Sequence, residues 1–162
     1  MKGLRTIRFD MTDDAVFEVG APEGEFAVSG ITCFGGIQRD DLVGKTRQAF
    51  ANSFWGLPSL GRSTFASVGE CRDADIDRAV DAMVAHFRST LGAPDDGSAK
   101  AAAEAEIAFA CDLCVNVPIN TVFTLRRTLN VAGEIEEEFR QIKPPSGGEP
   151  LHSKIWSVEP DA

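Results

Sequence analysis

The sequence lacks the features that would place the protein in a membrane or mark it for export. No stretch approaches the ~20 consecutive apolar residues of a membrane-spanning helix. The first residues, Met1 to Arg8, alternate basic and apolar side chains where a signal peptide would have a continuous apolar run. We therefore expect a cytoplasmic protein that does not bind membranes. Cysteine is also sparse, and in the cytoplasm the four thiols should stay reduced unless they bind metal or turn over.

Positive charge is scarce as well. The 162 residues carry 16 Lys and Arg against 25 Asp and Glu, which gives a formal net charge of -9. This balance argues against broad electrostatic attraction to nucleic acid or to an anionic membrane. With 43% hydrophobic residues, a chain of this length can bury roughly 70% of the surface that its unfolded form exposes. We expect one domain over residues 1–162.

Motifs of the common enzyme classes are absent too. There is no Gly-x-Ser-x-Gly elbow, no dinucleotide-binding Gly-x-Gly-x-x-Gly and no zinc-binding His-Glu-x-x-His. Val43 to Thr46 resembles the end of a phosphate-binding P-loop, but Arg39 occupies the position of the required first glycine. His86 and His152 have no recognisable catalytic partner, so we interpret them as surface residues. No cofactor and no catalytic residue is predicted.

The hydrophobic pattern predicts an α+β fold, with a mainly antiparallel sheet of about five to seven strands and two or three helices packed on one face. Strands are expected at 4–10, 15–19, 25–34 and 62–71, and helices at about 40–54, 73–91 and 98–115. A hairpin should join 121–129 to 134–142, and a last short strand should follow at 155–158.

The hairpin register follows from the faces of its two strands. Pairing Leu129 with Ile135 places Leu125 opposite Phe139 and Arg127 opposite Glu137, whereas a slip by one residue would oppose an apolar residue to an acid. The same register sets Arg126 opposite Glu138 on the other face. The glycine- and proline-rich segment near 144–151 is expected to be flexible.

Cys111 and Cys114 form a Cys-x-x-Cys pair, a spacing that can bind zinc or form a redox couple. The pair falls near the end of its predicted helix and shares a face with Ala103 and Ile107, which favours packing in the core. We regard metal binding through these cysteines as a weak alternative.

The longest stretch without a carboxylate runs from Leu42 to Gly69. It is either an anion-binding surface or a segment too buried to carry acids, and the sequence leaves this open. Its Gly- and Pro-containing part, residues 54–62, predicts a loop with an exposed Trp55 beside Arg62. A second acid-free stretch, 113–133, contains Arg126 and Arg127, which could also clamp a carboxylate or phosphate.

Three segments, residues 4–10, 44–52 and 119–124, resemble a family of short bacterial cytoplasmic proteins classed as a domain of unknown function. The resemblance covers the chain from residue 4 to about residue 143. It implies a small bacterial cytoplasmic protein and brings with it no established activity or catalytic residue.

Three functional hypotheses follow. The first is a non-catalytic accessory or binding protein that uses the 54–62 loop, with Trp55 and Arg62, for a protein partner or a small anionic ligand. The second is a small enzyme that anchors an anionic metabolite with arginine. The third is the metal-binding protein described above. Oligomeric state is not determined by these patterns, and a homo-oligomer is compatible with all three.

Overall fold

A computed structural model describes residues 1–9, 11–143 and 157–160. Its centre is an open antiparallel sheet in which neighbouring strands follow the order β4-β3-β2-β1-β5-β6-β7-β8. The strands are β1 (Lys2–Ile7), β2 (Phe26–Val28), β3 (Phe54–Leu57), β4 (Arg62–Ser63), β5 (Phe65–Glu70), β6 (Val122–Leu129), β7 (Ile135–Lys143) and β8 (Ser157–Pro160). The α-helices are α1 (Thr12–Val16), α2 (Gly44–Asn52), α3 (Asp73–Ser89) and α4 (Asp96–Cys114).

Three of the helices, α2, α3 and α4, pack against strands of the sheet. Helices α3 and α4 pack against each other; α4 contacts β1 and β2, α3 contacts β2 and β3, and α2 contacts β6. Buried side chains of α3, α4 and the strands β1, β2, β3, β5, β6 and β7 form a hydrophobic cluster. The predicted α+β class, with a mainly antiparallel sheet and helices packed on it, is confirmed.

The two long helices have local signals at their ends. Asp75 accepts a hydrogen bond from the backbone N–H of Arg72 at 3.0 Å, which caps the start of α3. Asp95 lies just before α4 and caps its start by accepting a hydrogen bond from the N–H of Ser98 at 2.6 Å. After α3 the chain turns at Gly92, whose φ of +73° favours glycine. Both predicted helices are present, within a few residues of the expected bounds.

The hairpin of β6 and β7 has the predicted register. Leu129 pairs with Ile135, Leu125 with Phe139 and Arg127 with Glu137, while Arg126 faces Glu138. Strand β8 adds to the free edge of β7, close to the predicted final strand. The segment near 144–151, expected to be flexible, lies outside the described residues.

Several local predictions in the first third of the chain are wrong. Residues predicted as a strand at 15–19 overlap helix α1. The strand predicted for 25–34 ends at Val28, because Gly30 adopts φ of +75° and residues Ile31–Phe34 form a 3-10 turn. The helix expected from residue 40 begins only at Gly44, after a separate 3-10 turn, Arg39–Asp41.

The predicted 54–62 loop is mostly a hairpin of two short strands, β3 and β4. Trp55 is consequently not exposed: it retains 1% of its accessible surface, and its indole Nε1 donates to the carbonyl of Leu60 at 3.1 Å. The prediction of a solvent-facing Trp55 is therefore wrong. Proline at 58 and glycine at 56 and 61 had suggested a loop, but Gly56 belongs to β3, and Pro58 and Gly61 lie in the short turn between β3 and β4.

Among the described residues, no helix is both long enough and apolar enough to cross a membrane.

Candidate anion-binding pocket

Arg62 is held by two backbone hydrogen bonds to the segment after α1. Its N–H donates to the carbonyl of Val19 at 2.8 Å, and its carbonyl accepts from the N–H of Ala21 at 2.8 Å. Across the β3–β4 hairpin it pairs with Trp55. These contacts fix the position of the backbone, so that the side chain leaves the sheet in a defined direction.

The Arg62 guanidinium lies between two aromatic rings. Its carbon Cζ is 4.9 Å from the centroid of Phe34 and 5.7 Å from that of Trp55, which is within the range of cation–π attraction. Gly30 makes room for it: a Cβ at that position would lie 2.7 Å from Cβ of Trp55 and 3.0 Å from Nη1 of Arg62. The aromatic rings and the glycine together form a slot for a planar cation.

Polar neighbours do not neutralise this cation. Nη1 of Arg62 is buried and has no hydrogen-bond partner among the described residues. Burial lowers the pKa of the guanidinium, and interactions with Cys33 and Glu106 oppose that shift. Burial also raises the pKa of the Cys33 thiol above its usual value, so at neutral pH this thiol is uncharged. Arg62 thus carries a positive charge with no ion-pair partner in the described part of the chain.

A cavity of about 280 Å³ opens beside Arg62. Its lining combines charged and apolar side chains from α2, the 3-10 turn, the hairpin and the residues after α1: Glu18, Val19, Phe34, Lys45, Thr46, Ala49, Leu60 and Arg62. Two cations and one carboxylate make the net charge of this lining positive. We call this cavity the Arg62 pocket.

Arg127, in contrast, is fully engaged. It retains 2% of its accessible surface, and its Nε donates to Oε2 of Glu137 at 2.9 Å. Its Nη1 donates to the carbonyl of Phe50 at 2.9 Å, and its Nη2 donates to the carbonyl of Ser29. Burial lowers its pKa to about 10, which still leaves the side chain charged at neutral pH. Arg127 therefore ties the β6–β7 hairpin to α2 and to the segment after β2.

The four predicted site residues converge only in part. Arg62 and Arg127 both stack on Phe34, with Cζ of Arg127 5.0 Å from the ring centroid, and Trp55 lies against Arg62. Arg126 points away from this cluster, because neighbouring residues of a strand face opposite sides, and it is exposed. Of these four residues, Arg62 lines an open cavity.

The cysteine pair lies inside the core. Cys111 and Cys114 are buried on α4, and the Sγ of Cys114 donates to the carbonyl of Ala110 at 3.4 Å. Within the described residues, no group of three or more His, Cys, Asp or Glu side chains is placed to hold a metal ion. His86, expected at the surface, is half-buried, with its ring 5.3 Å from that of Trp55; His152 lies outside the described residues.

Two residues near the arginines were not among the predicted site residues. Lys45 lines the Arg62 pocket together with Thr46, although the surrounding residues do not form a P-loop. Glu106 is a buried acid on α4. A signal existed for Glu106, since it lies three residues after Ala103 and four before Ala110, on the apolar stripe of the helix.

A comparison with known protein families assigns the chain to one of them. Residues 1–154 match a family described as "Family of unknown function (DUF6505)". The chain belongs to this family. The resemblance drawn from the three short segments is thereby confirmed. Neither the curated proteins nor the solved structures contain a match.

Proposed function

We propose that this protein is a non-catalytic binding protein that holds a small anionic ligand in the Arg62 pocket. The observation that carries the proposal is the unneutralised charge of Arg62, a largely buried guanidinium beside an open cavity. Burying a charge without a partner is costly. An anion in the pocket would offset that cost. A planar carboxylate or a tetrahedral phosphate offers the paired oxygens that arginine binds best.

The pocket also has room for an apolar portion of the ligand. Phe34, Leu60 and Val19 supply apolar wall, and Lys45 supplies a second positive charge at the side. At about 280 Å³ the cavity lies near the lower end of small-molecule sites. A short carboxylate or a phosphate ester therefore fits better than a peptide. A protein partner is the less supported form of this hypothesis, because Trp55, its expected contact, is buried.

The protein is tested with inorganic phosphate and acetate by isothermal titration calorimetry at constant ionic strength, with chloride as background. We expect saturable binding of at least one anion. Arg62→Lys keeps the charge but loses the two-pronged donor geometry and should weaken binding about tenfold. Lys45→Ala should weaken it less.

The matched control is Arg47→Ala. Arg47 lies on α2 two residues from Lys45, is exposed and is not among the residues that line the pocket. Binding that is absent from the unmodified protein, or that falls equally in Lys45→Ala and Arg47→Ala, would reject the proposal.

An enzyme that anchors an anionic metabolite is the second candidate. It is motivated by the interaction of Arg62 with Cys33. Burial raises the pKa of that thiol, however, which disfavours the reactive thiolate. Against it, neither Cys33 nor His86 is among the described residues that line the pocket. Modification by iodoacetamide at pH 7 separates the enzyme from the non-catalytic binding protein. Rapid alkylation of Cys33 that phosphate suppresses would support a reactive thiol and hence an enzyme. Slow alkylation would favour binding alone. The cytoplasmic location and the bacterial source stay predictions from the sequence.

A further inference from the structure

A second cavity, of about 320 Å³, lies on the other side of the 3-10 turn Ile31–Phe34. One wall is apolar and comes largely from α4. The lining residues are Ser29, Ile31, Thr32, Ala102, Ala105, Glu106, Phe109 and Glu137. We call it the Glu106 cavity. None of these residues lines the Arg62 pocket, so the two cavities can be tested separately.

Two oxygen atoms of the lining residues lack partners. Glu106 retains 8% of its accessible surface, and its Oε2 has no hydrogen-bond partner among the described residues. Its Oε1 accepts only a long hydrogen bond, 3.4 Å, from the N–H of Thr32. The hydroxyl oxygen of Thr32 is likewise buried and unpartnered within the described chain. Buried polar atoms are normally paired, so two such atoms on one cavity indicate a missing hydrogen-bond partner.

The other carboxylate of the cavity already has its partners. Glu137 accepts from Nε of Arg127 at 2.9 Å and from the hydroxyl of Ser29. Glu106 takes part in no ion pair with a described residue. Burial raises the pKa of its carboxyl and Glu137 adds to that shift, while the N–H of Thr32 and the charge of Arg127 oppose it. The unmet need is therefore for a positive hydrogen-bond donor beside Glu106.

We propose that the Glu106 cavity binds a small primary amine, with its ammonium group at Glu106 and Thr32 and its apolar body against Ala102, Ala105 and Phe109. An ammonium has three donors and no acceptor, which matches two unpartnered oxygens. The apolar wall would cover a short alkyl or aromatic group. At about 320 Å³ the space suits a ligand with a single ring.

Three probes of the same shape test the charge requirement: benzylamine, benzyl alcohol and benzoate, each titrated into the full-length protein by calorimetry. We expect benzylamine to bind saturably, benzyl alcohol to bind at least about tenfold more weakly because it lacks the charge, and benzoate not to bind. Equal binding of the amine and the alcohol would overturn the proposal.

Variants on α4 test the location. Glu106→Gln should weaken benzylamine binding at least about tenfold. Its control is Glu104→Gln, since Glu104 is exposed on the same helix and pairs with Lys100 at 3.9 Å. Should Glu106→Gln change the fold, Ala105→Phe fills the exposed side of the cavity, and Ala101→Phe is its exposed control. Binding that survives Ala105→Phe, or that is lost in Lys45→Ala, would place the amine elsewhere and reject the site.

Discussion

Arg127 and Glu137 form a buried ion pair across the β6–β7 hairpin, with Nε of Arg127 2.9 Å from Oε2 of Glu137. The remaining donors of the arginine reach carbonyls of α2 and of the segment after β2. The pair thus connects three parts of the fold that are distant in sequence. We therefore predict a structural role for Arg127, which the sequence placed among the ligand-binding candidates.

Removing Arg127 should strongly destabilise the protein. Arg127→Leu leaves Glu137 without its ion-pair partner and leaves backbone carbonyls unpaired, which we expect to cost about 3–5 kcal/mol of unfolding free energy. Urea denaturation measures the change. Arg126→Leu, one residue away and exposed, is the control and should stay within about 0.5 kcal/mol of the unmodified protein. Equal losses in both variants would contradict a structural role for Arg127.

Gly30 should not tolerate a side chain, because Trp55 and Arg62 lie close to it. A Cβ would lie 2.7 Å from Cβ of Trp55 and 3.0 Å from Nη1 of Arg62, closer than normal contacts allow. Gly36 has the same φ of +75° but open space around it. Both Gly→Ala variants bear the conformational strain of about 1 kcal/mol. The difference between their thermal midpoints therefore reports the steric contact at Gly30. We expect a clearly lower thermal midpoint for Gly30→Ala; equal midpoints would show that the slot adapts.

Asp75 should contribute to stability against acid. The N–H of Arg72 and then the guanidinium of Arg5 lower the pKa of Asp75 from 3.8 to about 2. A carboxyl whose pKa is depressed in the folded state stabilises that state above its unfolded pKa and loses the contribution as the pH falls through the folded value. The window is therefore about pH 4 to 2.

The measurement compares Asp75→Asn with the unmodified protein by urea denaturation between pH 6 and pH 2. The variant should be less stable at pH 6, and the difference should shrink as the pH approaches 2. Asp77→Asn, an exposed neighbour on α3, is the control and should show no such convergence. A gap between Asp75→Asn and the unmodified protein that stays constant down to pH 2 would argue against this ionisation.

Local patterns determined a large part of the fold. The apolar spacing of residues 73–91 predicted α3, and the alternation around Leu125 and Phe139 predicted the register of the hairpin. Both signals are short-range: each depends on which side chains share a face of one helix or of one pair of strands. The family assignment was likewise accessible from three short segments.

The candidate sites were predicted less well, because each is built from several segments. Trp55 had loop-forming neighbours, and its burial depends on the partners of β3 in the sheet. The sequence identified Arg62 by its type and surroundings but could not place it between Phe34 and Trp55. Glu106 had a helical signal for burial, yet its unpartnered oxygen depends on the distant 3-10 turn.

The sequence by itself determined the α+β class, the two long helices, the hairpin register and the acid-free segment from which Arg62 was chosen. Only the tertiary structure decided which arginines are neutralised. Arg126 and Arg127 are adjacent and chemically identical, and one is exposed while the other is buried against Glu137. The physical reason is that the free-energy cost of burying a charge depends on the groups that replace water around it. Those groups come from distant parts of the chain.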